Sequence, residues 1–343
     1  MKRSHFLRNS GLAAAGSLVL PSLLSCGKLF ASTKNRKVKR VVICNLAAGV
    51  RNTEAFGQAE GALMPRIFGG EASPSAHVLA LAGIDLASRN ATKPLFMQGT
   101  FYKAMLCAEG PTSSEAATRA LLSGEYQNDA YAINDTIAKQ TMFDYFLANQ
   151  GSSSSELTSI IDSKDTPTSL TLSSDQFALK KAGRILSDSK TSLMLVNLHD
   201  ADIAHADFTG YCASLLRTDA AIADLWQHIQ DTPSLKDETV LIVLSAHGRN
   251  AKHNGVLDAH GRFGLDHATL PAELGGDQSA REAFCLVLGP EGLVKKEHVI
   301  QGQSVESTDV LPFVGTLLGF ETPDLTKQRE IAFNSALEAS FLI

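Results

Sequence analysis

The chain has 343 residues, 44% of them hydrophobic and 20% charged, with a formal net charge of -5. Such a chain buries a large core and has the composition of an ordinary folded protein, which excludes the disordered, collagenous and disulfide-scaffold classes. A negative balance gives no overall attraction to a polyanion, so nucleic acid is not an expected partner; the basic run from Lys34 to Arg40 reads as a solvated linker.

The N-terminus reads as a targeting segment, with the basic stretch MKRSHFLRNSG followed by the short apolar stretch GLAAAGSLVLPSLL. Leu23-Leu24-Ser25-Cys26-Gly27 resembles a bacterial lipobox, and the start resembles a twin-arginine signal in which Ser4 replaces the second arginine. Residues 1–26 are therefore expected to be an export signal, 27–39 a linker and 40–343 one domain, found in the periplasm or as a cell-envelope lipoprotein. No apolar stretch after residue 30 is long enough to span a bilayer, which leaves an N-terminal lipid as the expected membrane contact. Cys44, Cys107, Cys212 and Cys285 lack the spacing of a disulfide framework and read as small core residues.

VKRVVICNLAAG predicts a buried first strand opening into a glycine turn. A helix is expected over 76–89 and a strand near LFMQGTF, residues 95–101. TSSEAATRALLSGEY then predicts a helix capped by Thr112, Ser113 or Ser114 and ended by Gly124. Residues 150–155 and 163–175 read as polar surface loops, and Phe177 to Leu186 as a helix.

The run Leu193 to Leu198 predicts a strand buried on both faces, followed by His199, Asp200, Asp202 and His205. Crevices at such strand ends are where open α/β sheets bind ligands. Beyond them Tyr211, Leu215, Ile222, Trp226 and Ile229 predict one helix face lying on the sheet. Asp202 and His205, three residues apart, can turn toward one divalent cation, and they can equally cap the helix. A strand over Thr239 to Ser245 stops at Ala246-His247-Gly248-Arg249. The Gly-, Asn- and His-rich segment 250–282 reads as an excursion over the active face that delivers His253, His260 or His267. A strand from Phe284 to Leu288 and a helix from Val310 to Leu318 close a single α/β domain, with a mostly parallel central sheet flanked by helices on both faces.

Three stretches, NLHDADIAH with Tyr211 and Asp219 beyond it, LIVLSAHG, and STDVLPFVGTLLGFETP, resemble the alkaline phosphatase superfamily of phosphodiesterases, phosphoglycerate mutases and sulfatases. The likeness covers roughly residues 40–320. It implies an ester hydrolase in which divalent metal, zinc above all, neutralises developing charge while a Ser or Thr attacks. By position relative to Leu121-Leu122-Ser123-Gly124, the implied nucleophile is Ser114, at a helix N-terminus that favours an anion. The implied metal ligands are Asp202, His205 and His267, with Asp200 and His260 as substitutes, although the Asp-to-His step is three residues where the family has four.

For a second metal the resemblance supplies only His247 beside Ser114, because the family's aspartates align with Ala47 and Ala246, and an ion without carboxylates is poorly held. Glu54 as a replacement carboxylate and Arg51 as an anion clamp stand open against a plain surface pair. Ser114-Glu115-Ala116-Ala117-Thr118 lacks the Pro and Arg of the sulfatase formylglycine motif. The expected substrate is a small anionic phosphate ester, less readily a sulfate ester or glycan-like molecule. The alternative is a catalytically degenerate envelope binding protein.

Overall fold

The computed structural model describes residues 36–57, 62–70, 74–84, 93–126, 140–150, 157–165, 173–267, 277–301, 305–323 and 333–338. The export signal, Cys26 and most of the expected linker lie outside these residues.

The apolar runs become strands. β1 (Arg40–Leu46), β2 (Gly99–Leu106), β3 (Thr158–Asp162), β4 (Leu193–Leu198), β5 (Thr239–Ser245), β6 (Glu282–Leu288), β7 (His298–Ile300) and β8 (Val305–Glu306) form one sheet in the order β3-β4-β1-β5-β6-β2-β7, with β8 also paired to β2. Only β6 runs antiparallel to its neighbours, so the sheet is mostly parallel, as expected. β1, β4 and β5 lie at its centre and are buried almost end to end.

Alternate residues of these strands point to opposite faces. Val42, Cys44, Met194 and Val196 share one apolar cluster with Leu179, Leu215 and Trp226. Val41, Ile43, Leu193 and Leu195 share the other with Phe143, Phe146, Leu311 and Phe313. The first face is covered by α1 (Ala76–Ala82), α4 (Ser174–Asp188) and α5 (Phe208–Asp231), the second by α2 (Ser114–Ser123), α3 (Met142–Asn149) and α6 (Val310–Leu318). Helices on both faces are therefore a consequence of strands that are apolar on both sides. All four cysteines after residue 26 are buried free thiols.

Four elements depart from the sequence reading. Leu95–Gln98 is a 3-10 turn that plugs the core with Leu95, and the strand begins at Gly99, where the register against β6 shifts between Tyr102 and Met105. β3 is a half-buried strand of sequence TSIID at the end of the sheet path, too short and polar to register as an apolar run. α3 is fixed by a capping box between Thr141 and Asp144, with Met142, Phe143 and Phe146 turned inward. α1 ends at Gly83, and residues 85–89 of the helix expected there lie outside the described residues.

Candidate metal centre

β4 delivers the ligand-rich loop to the carboxyl edge of the sheet, and residues Asp200–His205 wind into a 3-10 helix. A 3-10 turn has three residues, so side chains at i and i+3 eclipse. That geometry makes the three-residue step from Asp202 to His205 productive: His205 Nε2 lies 3.5 Å from Asp202 Oδ1. Neither residue caps α5, whose N-cap is Asp207, accepting from the Gly210 N–H at 2.7 Å. Tyr211, Leu215, Ile222, Trp226 and Ile229 are all buried, so α5 anchors the loop from behind.

His267 reaches the same point from a separate segment. Residues 254–266 fold back over the ligand loop, with the Leu265 N–H donating to Ala204 O at 2.7 Å and Asn254 Nδ2 donating to His205 O at 2.8 Å. Gly264 allows the approach, since a Cβ there would sit 2.5 Å from His205 O. The ligating atoms of Asp202, His205 and His267 all lie within 4.8 Å of one another.

Asp202 is held ionised and His267 neutral, while His205 must lose a proton to ligate. His205 Nδ1 is 2.7 Å from Asp266 Oδ1, an arrangement that holds a proton on Nδ1, so that Nε2, which faces Asp202, is the nitrogen that would give up its proton to take a metal. The hydrogen bond with His205 holds the Asp202 carboxyl well below the usual carboxylate range against desolvation, with help from Arg249. His205 in turn is raised, first by Asp202. Burial, then Arg249, pushes His267 down to about 4, so its imidazole is neutral at ordinary pH.

His247 stands beside this group and outside it. It is fully buried, its ring centroid 5.0 Å from that of His267, and its Nδ1 bonds Gly248 O at 2.7 Å. Burial, then His267, pushes it down to about 3. Among the described residues, His247 Nε2 and His267 Nδ1 are buried without a hydrogen-bond partner.

A family model described as type I phosphodiesterase / nucleotide pyrophosphatase matches residues 108–260. No curated protein sequence matches the chain. Among solved structures the chain is similar to an alkaline phosphatase superfamily protein from Vibrio parahaemolyticus, at 12% identity and TM-score 0.54, covering 88% of this chain and 71% of that one. It is similar to the C-terminal periplasmic domain of EcEptC from Escherichia coli in complex with Zn, at 12% identity and TM-score 0.54, covering 91% and 90%. It is also similar to a putative sulfatase from Bacteroides thetaiotaomicron, at 12% identity and TM-score 0.53, covering 86% and 75%. The chain thus has an alkaline phosphatase-like fold.

Within this fold the other residues singled out from sequence divide clearly. Ser114 is the first residue of α2, half-buried, and the cap is made by Ser113, which accepts from the Ala116 N–H at 3.3 Å; Ser114 is thus released from capping. α2 is held over the ends of β1 and β5: Ala117 packs with Ala246 and Cys107, and Asn45 Nδ2 donates to Thr118 Oγ1 at 3.0 Å. Arg281, almost fully buried, donates to the carbonyls of Cys107 and Gly110 and so fixes the loop leading into α2.

Ala47 and Ala246 are buried and carry no carboxylate to the edge of the sheet. Glu54 and Arg51 do not make up the loss. They form a two-pronged ion pair, with Glu54 fully buried, and Arg51 spends further donors on the carbonyls of Asn250 and Ala251. They are neither ligand and clamp nor an exposed pair. Asp200 faces the start of α4, accepting from the Asp175 N–H at 3.3 Å. His260 stacks on His77 at 4.6 Å and His253 lies 6.0 Å from Phe263, so His267 is the late histidine that joins the group. Asp219 receives the N–H groups of Arg66 and Ile67.

Two residues that act at the centre were missed in the sequence: Asp266, which orients His205, and Arg249, which is fully buried beside Asp202. Asp266 directly precedes His267, and an acidic neighbour of a candidate ligand was the available signal. Arg249 gave none, because its role depends on contacts with three remote segments.

The donor set fits zinc. One carboxylate and two imidazoles with an open fourth position is the make-up of a catalytic zinc site, and tetrahedral bonds of about 2.0–2.1 Å put neighbouring ligand atoms roughly 3.4 Å apart. The 3.5 Å between His205 Nε2 and Asp202 Oδ1 matches that spacing. His267 Nδ1 is buried without a hydrogen-bond partner.

Proposed function

We propose that the protein is an exported, metal-dependent hydrolase of phosphoric esters that works with one divalent ion, zinc by preference, held by Asp202, His205 and His267, and with Ser114 as nucleophile. The convergence of these three ligands from two separate segments carries the reading. When bound, the ion supplies a Lewis acid for an ester oxygen. Asp202 contributes the one negative charge of the ligand set, and Asp266 keeps His205 oriented. Ser114 Oγ, on the first turn of a ten-residue helix, lies where unpaired backbone N–H groups favour a negatively charged ester. It attacks phosphorus, the alcohol leaves, and water then releases phosphate from the seryl ester.

Phosphate rather than sulfate is favoured by the family model matched and by the absence of a formylglycine motif around Ser114. Export is supported by the basic and apolar N-terminal stretches. Among the described residues no helix is long and apolar enough to cross a membrane. Ala47 and Ala246, where the sheet edge offers no carboxylates, favour a second reading in which the same site binds an anionic ligand without turning it over.

Zinc titration of metal-free protein, paired with hydrolysis of nitrophenyl phosphate mono- and diesters, separates the readings. The hydrolase reading expects one zinc per chain and turnover, with Ser114→Ala keeping the zinc and losing turnover by a factor of at least about 100, and His205→Ala losing both. Zinc binding without cleavage of any ester would leave the binding protein. Full activity in Ser114→Ala would remove that residue from its role.

A further inference from the structure

Arg249 is a side chain that the proposed chemistry does not use, and it is among the largest fully buried side chains of the molecule. Its Nε donates to Gly49 O at 3.1 Å, one Nη to Leu265 O at 3.0 Å, and the other to Ala48 O at 2.7 Å and Ala201 O at 3.0 Å. These four carbonyls come from three segments: the turn after β1, the start of the ligand 3-10 helix, and the stretch that leads to His267. The same guanidinium lies 3.7 Å from Asp202 Oδ1 and 5.7 Å from the centre of the Tyr211 ring. Its own backbone is fixed as well, its carbonyl accepting from Ser279 Oγ at 3.0 Å.

A buried cation satisfied mainly by carbonyl dipoles is costly to build, and a planar fork with five N–H donors is the one side chain able to bind several carbonyls at fixed angles. Here that cost falls where the ligands converge. Ala201 precedes Asp202, and Leu265 is two residues before His267. The two segments that carry the ligands are thus tied to one rigid plane, and both are tied to the turn that lies against His247. Gly49 in that turn has φ +78°, and a Cβ on it would lie 2.2 Å from the His247 ring.

Resting on the reading of Asp202, His205 and His267 as a metal site, we propose that Arg249 is its positioning residue: a fixed internal cation whose four-carbonyl clamp holds the ligand segments at coordinating distance before any metal arrives. The clamp outweighs the repulsion between the guanidinium and the incoming ion, because an unclamped pair of segments must be ordered at the moment of binding.

Zinc affinity of the metal-free chain, measured by competition with a chromophoric chelator below each protein's melting temperature, tests this. A merely structural arginine lowers the melting temperature and leaves the affinity of the folded protein alone. Arg249→Lys keeps the charge and loses the fork; it is expected to fold and to bind zinc at least about tenfold more weakly than wild type. Arg249→Met removes charge and fork together and is expected to bind more weakly too. A folded Lys variant with affinity within twofold of wild type overturns the proposal, and so does a Met variant that binds more tightly than wild type. If the Met variant does not fold, the Lys variant alone decides. Wild type that binds no zinc overturns the metal-site reading itself, a result distinct from all of these.

Discussion

His205 is useful as a ligand only while one ring nitrogen is kept protonated and the other kept bare, and Asp266 sets that division across 61 residues of chain. Outer carboxylates of this kind fix the tautomer and raise ligand basicity, and their loss weakens metal binding roughly 10- to 100-fold. Asp266→Ala is therefore expected to lower zinc affinity by that factor while the protein stays folded, since Asp266 is only half-buried; a change below twofold in a chelator competition would contradict the assignment. The three residues proposed as ligands were legible as candidates in the sequence, because each follows a run apolar enough to be a strand or lies in a segment too irregular to be anything but a loop. The residues that orient them were not, because Asp266 and Arg249 act through contacts that sequence spacing does not encode.

At the level of elements, legibility tracked burial. β1, β4 and β5 are buried on both faces, so their apolar runs marked the limits of β4 and β5 and placed β1 within residues 38–49. β3 at the end of the sheet path and the 3-10 turn at Leu95–Gln98 depend on what they pack against, and neither shows in a pattern of apolar residues. The ligand loop is the instructive case. The sequence step of three residues looked one short for a superfamily site, and the 3-10 winding of Asp200–His205 brings Asp202 and His205 together at that step. The hydrogen bonds from Leu265 and Asn254 then seat the His267 segment on the same loop, so two elements far apart in the chain behave as one support.

For the whole molecule, the buried histidines make stability depend on pH in a stated direction. In metal-free protein His247 is pushed down to about 3 and His267 to about 4, from ordinary values of 6.5. Both folded-state values lie below the unfolded ones, so the unfolded chain takes up protons first, and the stability they contribute is present above pH 6.5 and is lost as pH falls toward 4. Asp175, pushed up to about 6 by burial and then by Asp200, opposes this between pH 6 and its ordinary 3.8, but as one group against two. His205, whose value is raised, contributes stability that is constant below 6.5 and is lost only as pH rises through its folded value. The urea midpoint of metal-free protein is accordingly expected to fall between about pH 6.5 and 4.5; a midpoint that holds or rises over that interval would contradict the burial of these rings.

The most direct test of the account is anomalous diffraction at the zinc edge from crystals of the metal-free protein soaked in zinc. A single strong peak is expected about 2.0–2.2 Å from Asp202 Oδ1, His205 Nε2 and a ring nitrogen of His267. No peak there, or the only peak at the exposed pair of His77 and His260, would contradict it.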